Sequence, residues 1–194
     1  LEACRRPDLV TEITLQPVRR HHVDAAIFFS DIVVPLAAVG VDLDIVAGVG
    51  PVVAEPIRTR ADLDRLPELH AEQVDDIAEA VRMTTAELGA TPLIGFAGAP
   101  FTVAAYMVEG RPSRDHLGPR TMMHGDPGTW AALMAWTADA SGRFLRAQIE
   151  AGVDAFRQQG GFQKQGQIAI GFGQRPGLGV IFQLHVGLPG ESLI

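Results

Sequence analysis

The sequence has very little of the residue types that characterise disulfide-rich, metal-binding or nucleic-acid-binding proteins. Cys4 is the one cysteine, so no internal disulfide can form, and no zinc-ligand spacing surrounds it. A reducing, cytoplasmic location is therefore expected. Lysine occurs once, at Lys164, against 15 arginines, and the formal net charge is -7. That charge argues against nucleic acid as a partner, because phosphate binding requires concentrated basic side chains.

Long apolar runs are absent as well. No uninterrupted apolar stretch is long enough to span a bilayer, and no basic-then-apolar leader opens the chain. No membrane association is therefore expected. The hydrophobic fraction of 47% and the charged fraction of 20% are ordinary for a globular domain. A few local arginines can still bind an acidic small molecule despite the negative net charge.

Hydrophobic patterning predicts an α/β fold with a parallel sheet. Helices are predicted over residues 7–22 (broken or kinked near Gln16-Pro17), 59–63, 71–88, 102–108 and 126–151. Strands are predicted over residues 23–34, 43–47 and 93–96, and another begins at 153. This alternation of helices and strands favours parallel pairing.

The composition changes at Phe156. The last 39 residues hold 7 of the chain's 10 glutamines and 9 of its 21 glycines, but only one acidic residue, Glu191. Helical periodicity is absent there, and residues 167–172 and 180–186 are the strand candidates. We expect residues 156–194 to form a poorly ordered or edge-like tail.

Asp31 is the first candidate for chemistry. It follows Phe28 and Phe29 near the C-terminal end of a predicted strand, and such strand ends form the active-site face of parallel α/β folds. One interpretation is a carboxylate that points into a pocket, where it accepts hydrogen bonds or holds a cation. The other is a cap for a helix over residues 34–39.

Tyr106 is the second candidate. It lies in the segment GFAGAPFTVAAYMVEG, residues 95–110, whose small residues allow a strand to turn sharply into a helix. The hydroxyl of Tyr106 either reaches the same pocket as Asp31 or belongs to a core tyrosine with its polar end at the edge. Arg111 and Arg114 are weaker candidates, which either bind acidic groups or form a solvated loop.

Two of these segments resemble the uroporphyrinogen decarboxylase family: FFSDI at residues 28–32 and the sixteen residues 95–110. LEACRRPDLVTEITLQPVRR at the start and IEAGVDA near residue 155 are also similar. The resemblance covers residues 1–155 and implies a (β/α)8 TIM barrel, a homodimer, and no cofactor or metal. It also implies cofactor-free removal of the four acetate carboxyls of uroporphyrinogen III, which yields coproporphyrinogen III in porphyrin and haem biosynthesis.

The resemblance also assigns roles to residues. Asp31 matches the family's aspartate that binds the pyrrole N–H groups and stabilises the cationic ring, which makes it both catalytic and substrate-binding. Tyr106 matches a substrate-contacting tyrosine. The family's arginine-rich segment would precede Leu1, and its binding serine and histidine have no counterpart after Ala155.

A complete barrel needs about 250 residues, so 155 matching residues suffice for about the first half of one. We therefore expect a partial barrel over residues 1–155, a non-matching Gly/Gln-rich tail over 156–194, and a truncated, impaired copy of the enzyme. The alternatives are a non-catalytic remnant or partner-binding fragment of the same fold, and a related barrel that transfers methyl groups to thiols. The last uses zinc bound by His and Cys, for which the sequence has no suitable cluster.

Overall fold

The structure is a computed structural model that describes residues 1–159 and 170–172. Its main sheet holds β1 (Ala26–Ile27), β4 (Leu93–Gly98), β5 (Ala155–Gln159) and β6 (Ile170–Phe172), in that spatial order. β1, β4 and β5 are parallel, as predicted, whereas β6 pairs antiparallel with β5. The predicted start of the tail at residue 156 falls inside β5, and the strand candidate over residues 180–186 lies outside the described residues.

Seven α-helices are present in the described part of the chain. They are α1 (Pro7–His21), α2 (Val34–Ala38), α3 (Arg60–Leu63), α4 (Asp75–Leu88), α5 (Pro100–Glu109), α6 (Leu117–Gly125) and α7 (Pro127–Ala151). Short 3-10 helices cover Glu2–Arg5 and Ala71–Val74. The predicted helices are confirmed, while α6 was not predicted. Of the break or kink predicted near Pro17, the break does not occur, because α1 runs through this position and packs against α4.

Two predicted strands differ from the structure. The strand expected over residues 23–34 is reduced to β1, because the chain leaves the sheet after Phe28. The strand expected over residues 43–47 is β2 (Leu43–Val46), and it pairs antiparallel with β3 (Gly50–Val53) in a separate hairpin. The hairpin turns at Gly48, whose φ of +76° suits glycine.

The helices pack against one face of the parallel sheet. Ala26, Phe28, Leu93 and Ala97 point to that face and are buried in the core. The alternating residues point the other way, and Ile27 is 49% exposed there. Where β1 and β4 form it, the second face therefore carries apolar side chains, and Ile27 is open to solvent there, as on the inner face of a barrel that further strands would close.

Candidate functional site

Asp31 lies in the loop that follows β1, at the C-terminal end of the parallel strands. The sequence placed Asp31 inside a strand, whereas in the structure the strand ends before it, at Ile27. The Val33 amide donates to Asp31 Oδ1 at 3.0 Å, and the Val34 amide donates to the Asp31 carbonyl at 3.2 Å. Asp31 thus closes the turn that leads into α2, whose N-cap is Val33. Its Oδ2 accepts no hydrogen bond from the residues that the structure describes.

The loop around Asp31 is held from several sides. The Phe28 amide donates to the Ile94 carbonyl at 2.8 Å, which is the last bond between this chain segment and β4. The Phe29 amide then turns to α1 and donates to Thr14 Oγ1 at 3.0 Å. These two bonds fix where the backbone leaves the sheet and therefore where Asp31 begins its turn.

Gly98 at the end of β4 allows this loop to approach closely. A Cβ atom there would lie 2.9 Å from Ile32 Cβ and 2.6 Å from Val103 Cγ2, so any side chain would force a shift. Its φ is not in the left-handed region, so the requirement for glycine is one of space. The sharp turn predicted from the small residues at Gly98-Ala99-Pro100 therefore has a structural reason: Gly98 lets the end of β4 pack against Ile32.

Cys4 is buried near the same loop. Burial is the main reason that the pKa of its thiol is raised, and the Asp31 carboxylate contributes in the same direction. A raised pKa keeps the sulfur protonated at neutral pH, so Cys4 is a poor nucleophile. The Cys4 thiol therefore contributes to core packing near the Asp31 loop and not to chemistry at the site.

Tyr106 lies on α5, which begins with Pro100 just after β4. Its side chain is half-buried. Burial raises the pKa of the Tyr106 phenol, and the negative charge of Asp31 raises it further. The two residues are thus close enough to interact electrostatically. Their participation in catalysis or substrate binding stays a prediction.

The other candidates stand apart from this pair. Arg111 and Arg114 are exposed on the loop after α5, and neither forms an ion pair with a described residue. Among residues 1–159 and 170–172, no group of three or more His, Cys, Asp or Glu side chains is arranged to hold a metal ion.

Ser30 is a feature of the site that the sequence analysis did not single out. Its Oγ is buried and has no hydrogen-bond partner among the described residues. The only signal in the sequence was its position immediately before Asp31.

A family model described as uroporphyrinogen decarboxylase (URO-D) matches residues 1–158. The chain belongs to the uroporphyrinogen decarboxylase family. A uroporphyrinogen decarboxylase of Arthrobacter sp. (strain FB24) is 70% identical over 155 residues, which cover 80% of this chain and 45% of that relative. A uroporphyrinogen decarboxylase of Streptomyces griseus subsp. griseus is 66% identical over 155 residues, which cover 80% of this chain and 42% of that relative. The chain therefore spans less than half the length of these relatives.

A solved structure of the same fold is a methyltransferase from Methanosarcina mazei. It superimposes with a TM-score of 0.65 at 19% sequence identity, over 81% of this chain and 47% of that chain. At this identity the likeness concerns the fold alone. It agrees with the TIM-barrel expectation: the described α/β unit corresponds to about half of a barrel.

No helix in the part of the chain that the structure describes combines the length and the apolar character that crossing a bilayer requires.

Proposed function

We propose that this chain is the part of a uroporphyrinogen decarboxylase that supplies the aspartate and the tyrosine of the active site. The enzyme would convert uroporphyrinogen III to coproporphyrinogen III by removing four acetate carboxyl groups, as a carboxy-lyase. The observation that carries the proposal is the placement of Asp31. Its carboxylate sits at the C-terminal end of a parallel strand, with Oδ2 unused among described residues and Tyr106 within electrostatic range.

The reaction needs charge stabilisation more than a cofactor. Protonation of a pyrrole carbon makes the ring cationic, so the ring can accept the electron pair released when the bond to carbon dioxide breaks. The exocyclic carbon then takes up a proton to become a methyl group, and the ring loses the proton that it first gained. Each acetate thus exchanges carbon dioxide for one proton. An ionised Asp31 would accept pyrrole N–H groups and offset the transient positive charge.

Tyr106 would contact the substrate beside Asp31. Because its raised pKa keeps the phenol protonated, its hydroxyl would donate a hydrogen bond to the substrate. The proposal includes a porphyrinogen as the partner, a homodimer, no cofactor or metal, no nucleic acid or membrane, and a cytoplasmic location.

The test uses a chimera in which the matching 155 residues of this chain replace their counterpart in the Arthrobacter relative. We expect the chimera to convert uroporphyrinogen III under anaerobic conditions, measured by chromatography of the oxidised porphyrins. Asp31→Asn should lower kcat by about 10²–10³-fold, because it removes the charge that faces the cation. Asp24→Asn, at the opposite end of β1 and exposed, is the matched control and should keep turnover within about twofold.

A non-catalytic, partner-binding fragment is the second candidate. It is supported by the apolar side chains on the second face of β1 and β4, where Ile27 is 49% exposed. The 194-residue chain should be mixed with coproporphyrinogen III and examined by equilibrium binding. Binding by this chain, together with an active chimera, favours the enzyme. An inactive chimera and no binding would favour the fragment.

A further inference from the structure

β6 is the one strand in the described part of the main sheet that lies outside the family match. The family model ends at residue 158, whereas β6 covers Ile170–Phe172. It pairs antiparallel with β5, while β1, β4 and β5 are parallel. A (β/α)8 barrel is built from parallel strands, so β6 is not the strand that the family adds after β5. It is a different strand at the same edge.

The length of the connection explains why β6 runs antiparallel. Ten residues, 160–169, separate the end of β5 from the start of β6. A parallel return to the same edge would require a crossover of about a dozen residues or more, which usually contains a helix. An antiparallel return requires only a reversal of the chain direction. The tail therefore reaches the β5 edge in the orientation that a short connection favours.

The register shows which backbone groups of β5 face β6. The Phe28 amide donates to the Ile94 carbonyl, so the polar groups of Ile94 face β1 and those of Gly95 face β5. Gly95 lies opposite Phe156, and in a parallel pair a residue bonds to the two neighbours of its partner. Phe156 therefore turns its own amide and carbonyl away from β4. Gly171 lies opposite Phe156 on that far side.

Without β6, the outer edge of β5 would present unpaired amide and carbonyl groups. Such an edge recruits strands from other chains, and folded proteins cover it or interrupt it. β6 pairs with Ala155, Phe156 and Arg157, the first three of the five residues of β5. The pairing therefore covers most of the edge.

We propose that β6 is a capping strand. It fills the β5 edge, where the family's barrel continues with another strand, and so prevents two copies of this chain from pairing edge to edge. The segment Ile170–Phe172 is the occupant of the edge, and a second copy of the chain is the partner that it excludes. This inference concerns assembly and does not depend on the proposed function, because it uses no property of Asp31, Tyr106 or the substrate.

A proline at Gly171 tests the cap by removing one donor. The Gly171 amide faces Phe156, so Gly171→Pro deletes a hydrogen bond between β6 and β5. Two variants are matched controls. Ile170→Pro introduces the same residue at the preceding position, where the amide faces away from β5. Gly171→Ala replaces the glycine but keeps the donor.

The first measurement is amide hydrogen exchange of the 194-residue chain, resolved by NMR. We expect the Phe156 amide to exchange at least about tenfold faster in Gly171→Pro than in the parent and both controls, because its pairing with β6 is lost. The Phe28 amide, which donates to the Ile94 carbonyl at 2.8 Å, reports whether β1 and β4 stay paired. Its exchange should not change.

The second measurement is sedimentation velocity over a concentration series. The weight-average sedimentation coefficient of Gly171→Pro should rise more steeply with concentration than that of the parent, because its β5 edge is open to a second copy. Ile170→Pro and Gly171→Ala should follow the parent. The comparison is between variants, so a dimer formed through another surface is common to all four proteins and does not affect it.

Three outcomes would overturn the proposal. If the Phe156 amide exchanges in Gly171→Pro as it does in the parent, β6 does not pair with β5. If its exchange is faster but association is unchanged, β6 does not prevent edge-to-edge contact. If the Phe28 amide also loses protection, β6 is needed for the whole sheet and is more than a cap at its edge.

Discussion

The side-chain amide of Gln148 hydrogen-bonds to both backbone polar groups of Phe96. Its Nε2 donates to the Phe96 carbonyl at 3.0 Å, and its Oε1 accepts from the Phe96 amide at 2.9 Å. The Ile94 carbonyl, two residues earlier, faces the chain at Phe28. Backbone groups two residues apart point to the same side of a strand, so Gln148 takes the place of β1 where β1 has ended.

This relationship predicts a strong effect of Gln148→Leu. The change keeps the approximate volume but leaves the amide and carbonyl of Phe96 without partners in the interior. We expect the free energy of unfolding to fall by about 2–4 kcal/mol in urea titrations of the 194-residue chain. Gln16→Leu, an exposed substitution on α1, is the control and should change it by less than about 0.5 kcal/mol. Similar stability of the two variants would show that Phe96 does not depend on Gln148.

Gly95 and Gln148 should also be energetically coupled. A Cβ atom on Gly95 would lie 2.8 Å from Gln148 Oε1 and 3.3 Å from Val153 Cγ2. Gly95→Ala alone should therefore destabilise the chain by about 1–3 kcal/mol. Combined with Gln148→Ala, which removes the clashing atom, Gly95→Ala should cost clearly less. A double-mutant cycle measures this difference, and strict additivity would contradict the close approach.

Gly98→Ala tests the packing of the Asp31 loop. Its Cβ atom would clash with Ile32 and Val103, so the loop must move away from β4. In the chimera we expect a loss of at least about tenfold in kcat/KM, because a small displacement of the carboxylate disturbs its alignment with the substrate. Gly142→Ala, a helical site where a Cβ meets nothing within 4 Å, serves as the control and should be neutral or mildly stabilising.

Tyr106 provides a direct optical test of its proximity to Asp31, because it is the only tyrosine in the sequence. Burial, and then the Asp31 carboxylate, raise the pKa of Tyr106 above its ordinary value of 10.0. Ultraviolet absorbance should therefore show a phenol midpoint above pH 10, and Asp31→Asn should move it downward. An unchanged midpoint in Asp31→Asn would place the two groups too far apart to interact.

The sign of the linked stability follows from the same shift. The folded chain binds the phenolic proton more tightly than the unfolded chain does, so this stabilising contribution is complete below pH 10. It is lost as the pH rises through the folded-state pKa. Tyr106→Phe should flatten the fall in stability over that alkaline window, measured by urea unfolding as a function of pH.

His22 offers a stabilising substitution. It ends α1 with φ +52°, in the left-handed region, and is exposed. His22→Gly relieves this strain and should raise the free energy of unfolding by about 0.5–1 kcal/mol. His21→Gly, one residue earlier and still helical, should lower it. Equal effects from the two changes would argue against the left-handed cap.

Patterning predicted much of the fold because its physical basis is local. The long helix α7 was anticipated from Asp126 and Pro127, and the Asp126 side chain accepts from the Thr129 amide at 3.1 Å. The length of the strand predicted over residues 23–34 was overestimated, because apolar side chains indicate that a segment is buried and not that its backbone is hydrogen-bonded in a sheet. Phe28 and Val33 are buried whether or not the backbone lies in the sheet.

At the candidate site, too, the sequence identified some features and missed others. Asp31 and Tyr106 were identified from the order of residues along the chain, including their resemblance to a known family. The partners of the loop and of β4 were not, because Thr14 reaches Phe29 and Gln148 reaches Phe96 from helices distant in sequence. The orphan oxygen of Ser30 also could not be anticipated, since an unsatisfied group is defined by everything that surrounds it.

The sequence by itself determined the alternation of helices and strands, the family, and the identity of the acidic and phenolic side chains. These follow from periodicity, capping and residue type, which are properties of neighbours along the chain. Tertiary structure alone decided that β1 ends at Ile27, that a glutamine replaces its missing bonds, and that Asp31 lies within electrostatic range of Tyr106. Those facts depend on the competition for backbone hydrogen bonds and space among distant segments, which is resolved only when the chain is packed.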